Sequence, residues 1–203
     1  MVELPPRVFL TGTDTDVGKT VVAALLCRRF GLDYVKPVQS GTVDGTDTAT
    51  VARLSGARTW PETWRLRNPK SPHRAAADDG VRLDPLAVRL PDAPRLLVEG
   101  AGGWMVPLAA DPLVWQADLV RALGLPAVVV CRTTLGTLHH TSSTVRAIRA
   151  DGVEVVGLVA VGPEHAENLE DLPRLTGAPL LAWVPRAASV EPLDDLLARV
   201  RWG

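Results

Sequence analysis

A doubly wound α/β architecture, a mostly parallel sheet flanked by helices, is the fold class that this 203-residue sequence predicts. Three observations predict it. Short runs rich in Val and Leu are apolar at successive positions, as strands covered on both faces require. Helix-spaced stretches alternate with those runs, which calls for parallel crossovers. The first run also leads through a glycine turn into "GKT" and a helix-like segment.

The strands are predicted at 7–11, 33–38, 95–100, 127–131, 154–161 and 179–184. The helices are predicted at 19–30, 47–56, 112–123, 139–150, 164–176 and 192–201. The Pro-, Arg- and Ala-rich segment 57–94 breaks the alternation and receives no assignment. One domain spanning 1–203 is expected for this length. Cys27 and Cys131 stand in apolar contexts and read as small core residues, not a disulfide framework or a metal cluster. A formal charge of −1 gives no basic footprint for nucleic acid. No apolar run reaches the length of a membrane span, and "MVELPPR" lacks a signal peptide's basic start, so the expected location is the cytoplasm.

In a doubly wound sheet, ligands bind beyond the carboxyl ends of the strands. The first such end carries "TGTDTDVGKT". Five residues separate Gly12 from Gly18, where the common phosphate-loop (P-loop) pattern has four, and Asp14 and Asp16 are acidic. Backbone N–H groups there and the start of the following helix would face phosphate oxygens. Lys19 would reach the terminal phosphates and Thr20 would offer its hydroxyl to Mg²⁺. The predicted fold is thus P-loop NTPase-like.

The second end reads "YVKPVQSG", then "DGTDTAT". Lys36 closes the strand, Pro37 forces an extended path, and Ser40 and Gly41 follow. Asp47 precedes a helix-like run, where it could act as an N-cap, complete a Mg²⁺ shell, or do both. The third end, "LLVEGAGGW", delivers Glu99 followed by Gly100, Ala101, Gly102 and Gly103. An acid at an inner strand's end is a metal-holding position in phosphate-loop enzymes, and glycines after it let backbone approach phosphate.

Together with "SPH" at 71–73 and "LGTLHHT" at 135–141, these motifs resemble the dethiobiotin synthetases over residues 8–187. The resemblance implies an ATP-dependent cyclo-ligase of biotin biosynthesis. Such an enzyme closes a ureido ring on 7,8-diaminopelargonic acid with CO2, ATP and Mg²⁺, and it is a homodimer. It implies that Lys19 and Lys36 contact phosphate oxygens as the catalytic lysines, and that Thr20, Asp47 and Glu99 hold the metal. Asp16, Val17, Gly18, Val21, Gly100, Ala101, Gly102, Pro185, Arg186 and Ala187 fall at nucleotide-binding positions, with Lys19, Thr20, Asp47 and Glu99. Thr15, Lys36 and Ser40 match positions that touch the diamine or its carbamate. Gly136, Thr137 and Leu138 match a turn that binds the carboxylate of a substrate in the neighbouring subunit's site. His139 stands where an Asn is often found.

Val161 and Gly162 replace the Asn-Asp pair often found in adenine-selective members, so ATP is the default nucleotide and relaxed use of others is expected. Asp14 receives no role. A regulatory P-loop ATPase of the partitioning or septum-positioning type is the alternative. Those proteins typically carry an extra lysine early in the loop, where this chain has Thr-Asp-Thr-Asp.

Overall fold

The computed structural model describes residues 3–187, 189–190 and 192–203. The chain opens with β1 (Arg7–Gly12), α1 (Lys19–Phe30), β2 (Asp33–Val35), β3 (Val38–Ser40) and α2 (Asp47–Ser55). Next come β4 (Thr59–Trp60), β5 (Trp64–Leu66), α3 (Pro72–Asp79) and a 3₁₀ turn at Pro85–Ala87. The middle of the chain forms β6 (Leu96–Gly103), β7 (Pro107–Ala110), β8 (Leu113–Trp115) and α4 (Gln116–Leu123). It ends with β9 (Ala127–Arg132), α5 (Thr137–Ala150), β10 (Val155–Gly162), α6 (Ala166–Thr176), β11 (Leu180–Pro185), α7 (Leu193–Arg199) and β12 (Arg201–Trp202).

Among the described residues the main sheet runs β12-β11-β10-β9-β1-β6-β2-β4. Every pairing in it is parallel except the edge pair β11–β12. β1 lies between β6 and β9, so chain order reverses direction beside it and opens a crevice at its carboxyl end.

The strand runs are apolar at successive positions because both faces are covered. On β1, Val8 and Leu10 join the core under α1, whereas Phe9 joins the opposite core with Trp104, Val145 and Ile148. α1 buries Val22, Leu25 and Leu26, carries Arg28 and Arg29 in its last turn, and stops at Gly31 in the left-handed region (φ 63°). Both cysteines are buried and free, as predicted. Burial pushes the Cys131 thiol up to about 12 and raises that of Cys27 further.

The structure departs from the predicted elements in four places. The run 33–38 splits: β2 ends at Val35, Lys36 and Pro37 leave the sheet, and Val38 starts β3, which pairs with β5. A proline cannot donate to a ladder, so the strand breaks there. The stretch 112–123 is helical only from Gln116, because Leu113–Trp115 form a hairpin with β7. The last helix stops at Arg199, and Arg201–Trp202 pair antiparallel with β11. Segment 57–94 contains β4, β5, α3 and the 3₁₀ turn, and its residues 69–72 line the site.

Candidate functional site

The turn after β1 wraps closely around itself. A Cβ on Gly12 would stand 2.6 Å from Val17 Cγ1 and 3.2 Å from Lys19 Nζ, so only glycine fits there. Asp16 adopts φ 55°, a left-handed conformation that Asp tolerates better than most residues. Gly18 caps α1 at φ 102° without any side-chain hydrogen bond. The first N–H groups of α1 therefore face the crevice, and the helix has no acidic residue in its first turn. Lys19 donates from Nζ to the backbone oxygen of Asp14 at 3.0 Å and is only 7% exposed. Burial, then the nearby Lys36, lowers its pKa against the pull of Glu99 and Asp47.

Asp14 acquires a local account. Its Oδ1 accepts from Thr15 N–H at 2.7 Å, and Oδ2 lies 3.9 Å from Arg132 Nη2. The carboxylate ties the loop's own backbone, while the peptide oxygen steers Lys19.

Lys36 leaves β2 into the crevice and meets two carboxylates. Its Nζ lies 2.5 Å from Asp47 Oδ2 and 3.0 Å from Glu99 Oε1. Burial opposes its ammonium, but Glu99 and Asp47 outweigh that effect and hold its pKa above the ordinary lysine value. The N-cap of α2 is Thr46, whose hydroxyl accepts from Ala49 N–H at 3.1 Å. Asp47 is therefore the first helical residue, not the cap, and its carboxylate is directed to the site. Its Oδ1 accepts from Thr20 Oγ1 at 2.6 Å. Burial raises the Asp47 pKa, but the Lys36 charge and the hydrogen bonds from Lys36, Thr20 and Gln39 bring it below its ordinary value.

Glu99, 1% exposed, projects from β6 between Lys36 and Tyr34, whose hydroxyl donates to Oε2 at 3.0 Å. The glycines that follow are needed for close approach. A Cβ on Gly100 would stand 2.5 Å from Gln116 Oε1 and 2.7 Å from Phe9 Cζ. Gln116 in turn donates to the Gly103 oxygen at 2.9 Å, joining α4 to the end of β6.

Lys19, Thr20, Lys36, Gln39, Asp47 and Glu99 line one cavity of about 730 Å³. A family model described as an AAA domain matches residues 6–193. The ATP-dependent dethiobiotin synthetase BioD of Rhodopseudomonas palustris (strain BisB18) is 42% identical over 195 residues, covering 94% of this chain and 91% of that protein. The enzyme of the same name from Rhizorhabdus wittichii is 43% identical, covering 92% and 89%.

This chain belongs to the dethiobiotin synthetase family.

Among solved structures, the septum site-determining protein MinD of Pyrococcus horikoshii OT3, complexed with Mg-ADP, superposes with a TM-score of 0.55 at 14% identity, covering 95% of this chain and 86% of that one. A ParA family ATPase from Chlorobium tepidum gives 0.51 at 10% identity, covering 95% and 88%. Both bear out the predicted P-loop NTPase-like fold. At such identities the likeness is one of fold alone, so it gives the regulatory alternative no support that the dethiobiotin synthetase fold does not share.

In this family member, Thr15, Asp16, Gly18, Lys19, Thr20, Val21, Lys36, Ser40, Asp47, Glu99, Ala101 and Gly102 come together around the cavity. Val17 and Gly100 lie beneath it as packing residues. Pro185, Arg186 and Ala187 sit at the end of β11 and outside the cavity wall. Pro185 pairs with Gly162, and Val161 reaches the phosphate loop, 3.3 Å from where a Gly18 Cβ would stand. Gly136, Thr137 and Leu138 open α5 away from the cavity. The Thr137 N–H already donates to the Thr134 oxygen at 3.1 Å.

The donor set suits a hard cation. Thr20 and Asp47 present oxygen atoms within 2.6 Å of each other, and Glu99 adds a second carboxylate across Lys36. No group of three or more His, Cys, Asp or Glu side chains able to hold a metal occurs among the described residues. An ion here would complete its shell with phosphate and water, which is the habit of Mg²⁺. No helix among the described residues is long and apolar enough to cross a membrane.

Three cavity features were missed in the sequence. Gln39 accepts from the Asp47 N–H at 3.1 Å and donates to the Ser40 oxygen at 2.9 Å. Pro69 and Lys70 line the cavity beside Ser71 and Pro72 of the "SPH" motif. Tyr34 underlies Glu99, and the available signal was a lone tyrosine inside an apolar strand, which needs a partner for its hydroxyl.

Proposed function

We propose that this protein is an ATP- and Mg²⁺-dependent dethiobiotin synthetase acting on 7,8-diaminopelargonic acid and CO2. The observation that carries the reading is Lys36, bridging Asp47 and Glu99 directly beside the phosphate loop. A plain phosphate-binding loop does not need a second buried lysine, but a reaction that builds a new phosphoryl acceptor does. A substrate amine adds to CO2 and loses a proton to give a carbamate. A carbamate oxygen then attacks the γ-phosphate and ADP departs. Finally the second amine attacks the carbamoyl carbon, closes the ring and expels phosphate.

Lys19 and Lys36 would steady the anionic oxygens of phosphate and carbamate, which is the main work of phosphoryl-transfer sites. The open N–H groups of α1 would hold the polyphosphate. A Mg²⁺ ion held by Thr20, Asp47 and Glu99 would neutralise charge on the transferred group. Lys36 now occupies both carboxylates, so a bound phosphate would draw its ammonium away from Asp47, and a cation held there would compete with it for that carboxylate. Asp16 and Thr15 on the cavity rim face the cationic diamine, where a carboxylate is less costly than beside phosphate alone. Gly136–Leu138 lie outside this chain's cavity, which supports a homodimer in which the turn serves the neighbour's substrate. We further propose a single folded unit located in the cytoplasm.

The test supplies labelled bicarbonate, the diamine and Mg-ATP to purified protein. Label in a cyclic urea with stoichiometric ADP is the expected result, and its absence overturns the proposal. With Val161 and Gly162 in place of an Asn-Asp pair, CTP and GTP are expected to support turnover as well. A strict requirement for ATP would refute that part.

A further inference from the structure

We propose that Tyr34 is a positioning residue whose hydroxyl fixes the Glu99 carboxylate for the phosphate and metal chemistry of the cavity. The inference rests on the reading of Glu99 given above. Tyr34 is fully buried, in the core that holds Leu10, Leu26 and Leu97. Packing alone would be satisfied there by Phe, so the hydroxyl must be explained by its partner. That partner is Glu99 Oε2, at 3.0 Å. The other oxygen, Oε1, faces Lys36 Nζ at 3.0 Å.

The carboxylate is thus held at both ends, one oxygen toward the core and one toward the cavity. Glutamate is a long side chain that loses much rotamer freedom when ordered. Without the phenol, Oε2 would be a nearly inaccessible acceptor lacking its donor, and the group would turn to find another. When phosphate draws Lys36 aside, the Tyr34 bond is the one that remains to hold Glu99 in place. Tyr34 and Glu99 come from neighbouring strands β2 and β6, so the alignment is set by the sheet and not by a loop.

Calorimetry of ATP binding across a Mg²⁺ series, on the full chain with Tyr34→Phe, tests this. We expect the Mg²⁺ dependence to weaken by about 10–100-fold, the usual effect of removing a ligand's outer partner. The unfolding temperature should fall by a few degrees, because a buried acceptor loses its donor, with the chain still folded. In a Glu99→Gln background, Tyr34→Phe should add nothing. Tyr34 is the only tyrosine of the chain, so ¹³Cζ-labelled tyrosine gives one resonance. That resonance should move on Glu99→Gln without any metal or nucleotide present.

An unchanged Mg²⁺ dependence in Tyr34→Phe, with Glu99→Gln impaired, overturns the role of Tyr34 and leaves the site reading intact. If Glu99→Gln is also without effect, the site reading itself fails. Additive effects of the two substitutions would show that Tyr34 does not act through Glu99. Should Tyr34→Phe not fold, the resonance decides, and a signal indifferent to Glu99→Gln overturns the inference.

Discussion

Lys36 and Asp47 form an ion pair of 2.5 Å that fastens the end of β2 to the first residue of α2. Neither residue belongs to the phosphate loop, yet Asp47 also receives the Thr20 hydroxyl, so the pair joins the second loop to the first. Glu99 accepts from the same ammonium and ties in the third loop. One lysine therefore holds three strand ends in register.

Lys36→Ala should be felt twice. It takes from Glu99 and Asp47 the cation they pair with directly, leaving only the more distant Lys19, and removing one partner of a buried pair costs about 3–5 kcal/mol. Chemical denaturation should record a loss of that order, with far-UV dichroism still that of a folded chain. Turnover should fall by at least about 100-fold, as when a donor aimed at developing charge is removed. Wild-type turnover in this variant would take Lys36 out of the mechanism.

Stability should decline on the acid side, with Asp47 contributing. Its carboxyl is held below the ordinary value of about 4 in the fold, so near that pH the unfolded chain binds more protons. The contribution is complete above the ordinary value and is lost as pH falls through the folded one. Lys36 mirrors this at the alkaline end. Its stabilisation holds below the ordinary lysine pKa and disappears as pH rises through the raised one. Urea midpoints measured from pH 6 down to pH 3 should show a shallower decline for Asp47→Asn. An unaltered slope would contradict the assignment.

Gly12→Ala and Asp14→Ala should separate backbone from side chain in the phosphate loop. The new methyl at position 12 would collide with Val17 Cγ1 at 2.6 Å, so nucleotide affinity should drop by at least about tenfold, or 1.4 kcal/mol. At position 14 the oxygen that receives Lys19 belongs to the backbone and survives the change. Only the Thr15 N–H contact and the exposed approach to Arg132 are lost, which costs about 1 kcal/mol or less. Equal losses in the two variants would refute this division.

Gln39→Ala should loosen the start of α2. The Asp47 N–H loses its acceptor, and an unpartnered buried donor costs about 1–3 kcal/mol. Glutamate at position 39 would keep that acceptor but set a charged oxygen against the Ser40 carbonyl and beside Asp47, so it should not restore the stability. If alanine is as stable as wild type, Gln39 does not order α2.

The three loops were legible because their chemistry is written in consecutive residues. "GKT", the lysine before Pro37 and the glutamate before a glycine run each sit where an apolar strand ends. Six strands of the main sheet were predicted to within a few residues, since burial on both faces leaves unbroken apolar runs. Pairings between distant segments were not legible. Leu113–Trp115 suit a helix until β7 offers a ladder, and Arg201–Trp202 extend a helix until the free edge of β11 offers another. Local preference is weak enough that a partner strand overrides it.

By itself the sequence determined the main strand–helix alternation outside 57–94, the phosphate loop and the residue types at the strand ends that carry the site. Only the tertiary structure decided that Lys36 meets both carboxylates, that Thr46 caps α2 and frees Asp47, and that Tyr34 and Gln39 hold the two acids from behind. It also brought Pro69–Pro72 to the cavity wall from a segment in which only the "SPH" motif was readable. The physical reason is range. Turn geometry and periodicity act between neighbours in the chain, whereas a buried charge finds its partner across strands that meet only once the sheet has formed.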